Sequence, residues 1–209
     1  MEAFYSDTMD KTLRFGDVLK GIVLANTLAK SLPVGDSFNI DVSIPAFSVV
    51  ISPCCSIGNQ MICLCPLFSV QRSYFDNPYF AEDLTRINRS MEPKQTVAPH
   101  IWDKFPPDEQ DRRIARGNEY ALIDIFVYGK HDLLPSYPVR TSGIQISTNY
   151  YQIDFRQITR VNCSQIVRDN KGPLEAKILQ LSIETRQELR DKISSFYGRV
   201  PTEDQILLG

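Results

Sequence analysis

Phe47-Ser48-Val49-Val50-Ile51-Ser52 is a nearly continuous apolar run rich in β-branched residues, and Met61-Ile62-Cys63-Leu64-Cys65 has the same character. Runs of this kind read as strands buried on both faces. A Gly58-Asn59 turn signal lies between them, so the two are expected to pair as a hairpin. Upstream, Phe38, Ile40, Val42 and Ile44 alternate with Asn39, Asp41 and Ser43, the period-2 pattern of a strand with one wet face, and Pro45 breaks its ladder. Downstream, Leu122 to Tyr128 and Gly143 to Ser147 read as strands, and Tyr151, Ile153 and Phe155 alternate with Gln152, Asp154 and Arg156. Short strands in this number predict a mainly β chain with added helices, an α+β fold built on a small barrel or sandwich.

Helices are fewer. Asn77-Pro78 is an N-cap and first-turn pair, with Glu82 and Asp83 near the positive end of the dipole and Arg86 and Arg89 near the other, which predicts a helix from Pro78 to Arg89. Pro107 opens a second, short helix. Asp108, Glu109 and Asp111 come early in it, Arg112, Arg113 and Arg116 late, and Gly117 is available as a left-handed cap. Its apolar face is only Ile114 and Ala115, so it belongs on the surface. A third helix is C-terminal. Either Ser182 caps it, or Thr185 does with Glu188 three residues on as a capping box. Leu189, Ile193 and Phe196 or Tyr197 then form one apolar stripe that packs the helix onto the rest of the domain, Gly198 can end it and Pro201 stops its extension.

The 209 residues are enough to bury a core without disulfide or metal staples. An apolar share of 43% with 23% charged residues excludes disordered, collagen-like and coiled-coil classes. The 23 basic and 25 acidic residues leave a formal charge of −2, so the molecule lacks the overall basic field of a general nucleic-acid binder, although a local basic patch would still allow RNA as a partner. Met1-Glu2-Ala3-Phe4-Tyr5-Ser6-Asp7 places acids where a secretory signal carries cations. Apolar runs such as residues 21–25 fall far short of the roughly 20 residues of a membrane span. The five cysteines are an odd number, and four of them lie in apolar runs, which fits a reducing cytoplasm better than a secreted disulfide framework. The expectation is a cytoplasmic protein with no membrane partner.

Cys54, Cys55, Cys63 and Cys65 are four thiols, but adjacent strand cysteines point to opposite faces and zinc knuckles use wider spacing, so packing is expected, with no metal and no cofactor. Cys55, at a strand end, is the thiol expected to be accessible, which raises a thiol redox sensor as one function class. His100 and His131 share no ligand spacing, and His131 sits in a hairpin-like turn, Gly129-Lys130-His131-Asp132. Pro93, Pro99, Pro106 and Pro107 mark a loop-rich insertion that also carries Trp102 and Phe105 ahead of the Arg112-Arg113-x-x-Arg116 helix. An aromatic beside a cationic helix can stack and neutralise an RNA strand or anchor a protein partner. The competing reading is that the tryptophan covers the edge of its own core and the arginines serve dipole and solvation.

Three features together resemble a known family. Gly16-Asp17-Val18-Leu19, then Val49-Val50-Ile51-Ser52, then a strand ending Cys65-Pro66-Leu67, follow the order seen in the MazF and PemK toxin superfamily. Within it, Ser52-Pro53-Cys54-Cys55-Ser56-Ile57 is similar to the S-x-x-C-D-I signature of a poorly characterised set of bacterial MazF-like proteins. That set also tends to carry a strand like Gln152-Ile153-Asp154-Phe155-Arg156 and an end like Leu181 to Arg199. Ser56 stands where the set usually has Asp. The resemblance implies a small SH3-like β-barrel: residues 1–209 as a single MazF/PemK-like domain, 76–118 as a helical, proline-rich insertion and 182–199 as the C-terminal helix.

The superfamily's toxins cleave RNA with an arginine just before the V-V-I-S strand and a threonine just after the proline of the later strand. Here Ile44-Pro45-Ala46-Phe47 holds no arginine, and Phe68 stands two residues after Pro66, with Ser69 only as an out-of-register substitute. No Lys or Arg occurs from Ser31 through Gln71. Phosphodiester cleavage places developing charge on phosphoryl oxygens, which enzymes stabilise with Arg, Lys or a metal, while a base takes the 2′-hydroxyl proton. Cations would have to be imported from Arg72, Arg86, Arg112 or a second subunit. The expectation is a non-catalytic module that binds another protein, an accessory of a toxin-antitoxin, stress or phage-defence (antiviral) system as the resemblance implies. The alternative is a MazF-type endoribonuclease with displaced catalytic residues. Candidate binding residues are Ser52, Cys55, Trp102, Phe105, Arg112, Arg113 and Arg116; no catalytic residue is assigned.

Overall fold

The computed structural model describes residues 3–22, 24–27, 40–52, 61–75, 87–88, 102, 104–116, 124–141, 144–162 and 175–198. The Phe47 and Met61 runs pair as expected. β4 (Phe47–Val50) and β5 (Met61–Pro66) are antiparallel with Val49 opposite Cys65 and Val50 opposite Leu64. β1 (Val18–Lys20) lies on the other side of β4, and β11 (Thr159–Asn162) and β12 (Lys177–Leu179) complete a five-stranded antiparallel sheet in the order β11-β5-β4-β1-β12. Side chains of a strand alternate between faces. Val18, Val49, Ile51 and Cys65 enter the main core, while Leu19, Val50, Ile62 and Leu64 form a separate cluster on the opposite face with Ile22. Both faces are therefore apolar, and a one-residue slip would move each side chain from one core to the other.

Leu67 separates β5 from β6 (Phe68–Ser69), which continues into a second sheet, pairing with β10 (Tyr151–Asp154), which in turn pairs with β7 (Ile125–Tyr128). Residues 151–162 run antiparallel to residues 61–69 and cross between the two sheets at the same point, because β10 pairs with β6 and β11 with β5. Asp154 holds that crossing, its carboxylate accepting the Arg156 amide at 2.9 Å, an Asx turn. Two further hairpins are separate: β2 (Leu24–Thr27) with β3 (Ile40–Ser43), and β8 (Tyr137–Thr141) with β9 (Ile144–Thr148). The described strands thus form four antiparallel sheets, and no closed barrel exists among the described residues. Three helices are described: α1 (Arg72–Phe75), α2 (Pro107–Ala115) and α3 (Ile183–Tyr197). Among the described residues no helix is long and apolar enough to cross a membrane.

Ser182 proves to be the cap of α3, its Oγ accepting the Thr185 amide at 3.1 Å. Leu189 and Ile193 enter the main core with Phe196 packed against them. Phe196 meets Phe155 at a ring separation of 5.6 Å, whereas Tyr197 stays exposed and only its hydroxyl reaches in, donating to the Phe155 carbonyl at 2.6 Å. Gly198 closes the helix at φ −79°, an ordinary right-handed conformation. Gly16 is a different case. Its φ is +87°, and a Cβ there would stand 2.5 Å from Leu181 Cδ1, so only glycine fits. Its amide donates to the Val50 carbonyl at 2.7 Å and its carbonyl accepts the Tyr128 hydroxyl at 3.1 Å, tying the two sheets together.

Two lysines are buried that the periodicity did not place. Lys177 Nζ pairs with the carboxylate of Asp17 at 2.8 Å and donates to Gln180 Oε1 at 2.7 Å and to the Thr12 carbonyl at 2.8 Å. Asp17 is fully buried; desolvation lifts its carboxyl above the usual range despite Lys177 and the Arg14 amide, which donates to it at 2.8 Å. Lys192, on the buried face of α3, has no hydrogen-bond partner for its amine. Burial pulls it down to about 7, with Asp124 and Glu188 opposing.

The helix expected over Pro78–Arg89 lies outside the described residues except for Ile87 and Asn88. Both are buried, and the Asn88 amide is fully used on β7, donating to the Val127 carbonyl at 2.6 Å and accepting the Val127 amide at 2.7 Å.

Candidate functional site

The residues singled out from sequence do not gather in one place. Ser52 is buried at the end of β4, where its hydroxyl accepts the Cys63 amide and so stitches β4 to β5. Cys55, with Cys54 and His100, lies outside the described residues. Cys65 is buried, donates to the Asp154 carbonyl at 3.1 Å, and its thiol is pushed up to about 12 by burial, so it packs and does not ionise near neutrality. His131 is half-buried against the Tyr5 ring at 5.0 Å, with Nδ1 accepting the Leu133 amide.

Trp102 is only 1% exposed, so its ring offers no face to a nucleobase. Its carbonyl accepts the Phe105 amide and the Gln110 side chain, both at 3.0 Å. Phe105 lies edge-on to Trp102 and is covered by the Arg113 guanidinium at 4.2 Å. Along α2 the arginines are matched by the helix's own acids: Arg112 with Asp108 at 2.8 Å and Arg113 with Glu109 at 3.1 Å, both i,i+4. Arg116 is exposed just beyond the helix. These are the contacts of an exposed helix and a folded-back tryptophan, the competing reading for this segment.

A different pair of cations is left unmatched. Between the segment Ser69–Arg72 and the β8–β9 hairpin lies a cleft of about 570 Å³, within the usual range for ligand sites. Val70, Tyr137, Pro138 and Val139 supply its apolar lining, and Ser69, Gln71, Arg72, Arg140 and Gln145 its polar groups. Local structure sets each of these. Ser69 is the last residue of β6 opposite Tyr151, and Arg72 opens α1 three residues on. Arg140 and Gln145 are direct cross-strand partners, so they stand side by side on one face of the hairpin. The Tyr137 hydroxyl ties the walls together: it accepts the Val70 amide at 2.8 Å and donates to the Tyr150 carbonyl.

The electrostatics are one-sided. Among the described residues Arg72 and Arg140 make no ion pair and no Asp, Glu or His lines the cleft. Burial pushes the Tyr137 phenol up to about 12, so it remains protonated and cannot act as a base near neutrality. The cleft can therefore bind an anion with two forked donors, and none of its described lining residues is a carboxylate or imidazole that would accept a proton. From sequence Arg140 was missed because β8 was missed. The signal was present: Tyr137, Val139 and Thr141 alternate with Pro138 and Arg140 ahead of a Ser142-Gly143 turn dipeptide.

No protein-family model matches this chain, and no curated protein or solved structure matches it.

Proposed function

We propose that the chain is a non-catalytic protein-binding module on a MazF/PemK-like, SH3-type barrel scaffold, acting in the cytoplasm as an accessory of a prokaryotic toxin-antitoxin, stress or phage-defence system. One observation carries the binding part: a cleft whose two guanidinium groups make no ion pair, and whose lining holds no Asp, Glu or His, among the described residues. The scaffold reading is supported by the bent strand 61–69, which is shared between two sheets as barrel strands are. The system it serves rests on the sequence resemblance alone.

A toxin-type endoribonuclease is the second reading, favoured by Ser69 standing beside Arg72 in the same cleft as Arg140. Among the described lining residues no carboxylate or imidazole stands ready to take the 2′-hydroxyl proton. The two readings separate on incubation of the purified protein with long single-stranded RNA followed by end mapping. The binding-module reading expects no protein-dependent cuts. Specific cuts that vanish on Ser69→Ala or Arg72→Ala would discard it.

A further inference from the structure

We infer that the occupant of the Arg72–Arg140 cleft is an extended, acidic segment of a partner protein, an Asp or Glu side chain of which is held between the two guanidinium groups; this rests on the protein-binding reading of the same cleft. Charge complementarity is the first argument. The polar lining consists of two cations, one hydroxyl and two carboxamides with no acid among them, in a chain whose formal charge is −2. Positive charge left unmatched on a net-negative surface selects anionic partners, and a planar guanidinium fork fits a carboxylate with two parallel hydrogen bonds.

The choice of peptide over nucleic acid comes from what else lines the cleft. Single-stranded RNA is held by stacking its bases on exposed aromatic faces. Among the described lining residues the one aromatic, Tyr137, is half-buried, packs edge-on to Tyr151 at 5.4 Å and has its hydroxyl engaged both as donor and as acceptor. Gln71 and Gln145 instead present a donor and an acceptor each, the pairing that a peptide group returns. Among the described strands β8 has one neighbour, β9. Strand addition along it would be interrupted at Pro138, which has no N–H to donate, so side-chain charge and not a backbone ladder has to carry recognition.

The test uses the full chain and fluorescence anisotropy with three labelled probes: a short peptide alternating Glu and Ala, its Gln-Ala counterpart, and a single-stranded RNA oligonucleotide. The Glu peptide is expected to bind more tightly than the Gln peptide, and to weaken as ionic strength rises. Arg72→Ala and Arg140→Ala should each weaken it about tenfold, with circular dichroism unchanged because both side chains are exposed. Arg72→Lys should restore part of the loss. Equal binding of the Glu and Gln peptides, or Glu-peptide binding indifferent to both substitutions, overturns the inference. Retained Arg-dependent binding of the neutral peptide overturns it while leaving the protein-binding reading in place. Arg-dependent binding of RNA without the Glu peptide removes both.

Discussion

Helix α2 and the cleft carry the same kind of side chain in opposite circumstances. On α2, Arg112 and Arg113 sit one turn after Asp108 and Glu109 and are matched by them at 2.8 and 3.1 Å. In the cleft, Arg72 and Arg140 come from segments far apart in sequence and meet no acid among the described residues. The difference shows why counting cations along a chain does not locate a site. Arginine three or four residues after a carboxylate is matched by helix geometry, at about 0.3–0.5 kcal/mol per pair. Arginines brought together by tertiary structure carry no such guarantee, and two left unmatched mark where an anion can go. The interior repeats the contrast: Lys177 is buried against Asp17, and the amine of buried Lys192 has no hydrogen-bond partner among the described residues.

Substitutions that unmatch a matched cation, or remove an unmatched one, would break or sharpen this comparison. The largest effect is expected from Asp17→Ala, which removes the buried carboxylate from the buried Lys177 ammonium, leaves it only the partly exposed Asp10 carboxylate at 3.4 Å as counter-charge, and should reduce unfolding free energy by about 3–5 kcal/mol in urea titrations. Lys192→Met should act in the opposite direction and stabilise by about 3 kcal/mol at pH 6. Its sign follows from the amine being lowered to about 7 in the fold against 10.5 in the open chain. Between those values the unfolded chain binds more protons, so this lysine's contribution to stability improves as pH rises through the window. The penalty is complete below the window and gone above it. Wild-type and variant stabilities should therefore converge towards the alkaline end, and a constant difference across that range would contradict the account.

In the cleft, combining Arg72→Ala with Arg140→Ala should reduce acidic-peptide affinity about 100-fold, equivalent to about 2.7 kcal/mol, with the urea midpoint unchanged. The smallest effect belongs to α2. Arg112→Ala and Arg113→Ala should each change stability by about 0.5 kcal/mol or less and leave peptide affinity as it was. A large affinity loss from α2 with none from the cleft would reverse the comparison.

The elements that sequence made legible were those with a single dominant signal. β4 and β5 could be read because both faces are apolar, and α3 because the Leu189–Ile193 stripe sets its phase, while its start stayed open between Ser182 and Thr185 until the cap hydrogen bond decided it. β8 was missed because Pro138 and Arg140 interrupt its apolar pattern, even though Tyr137 and Val139 point inward. The cleft was correspondingly illegible. Ser69 and Arg72 were visible as neighbours, but their juxtaposition with Arg140 is set by the packing of one hairpin against α1 and the β6 edge, which no local pattern encodes. For Trp102 the sequence left two readings, a binding aromatic and a ring folded back onto its own core; its 1% exposure agrees with the second, because burial is decided by what lies opposite a residue and not by the composition of its loop.

The most direct measurement is a titration of the uniformly nitrogen-15-labelled protein with the Glu-Ala peptide, following arginine Nε–Hε resonances by NMR. The resonances of Arg72 and Arg140 should shift together along one saturating curve while those of Arg112 and Arg113 stay in place. Saturating shifts at Arg112 and Arg113, with Arg72 and Arg140 unmoved, would contradict the assignment of the cleft as the binding site.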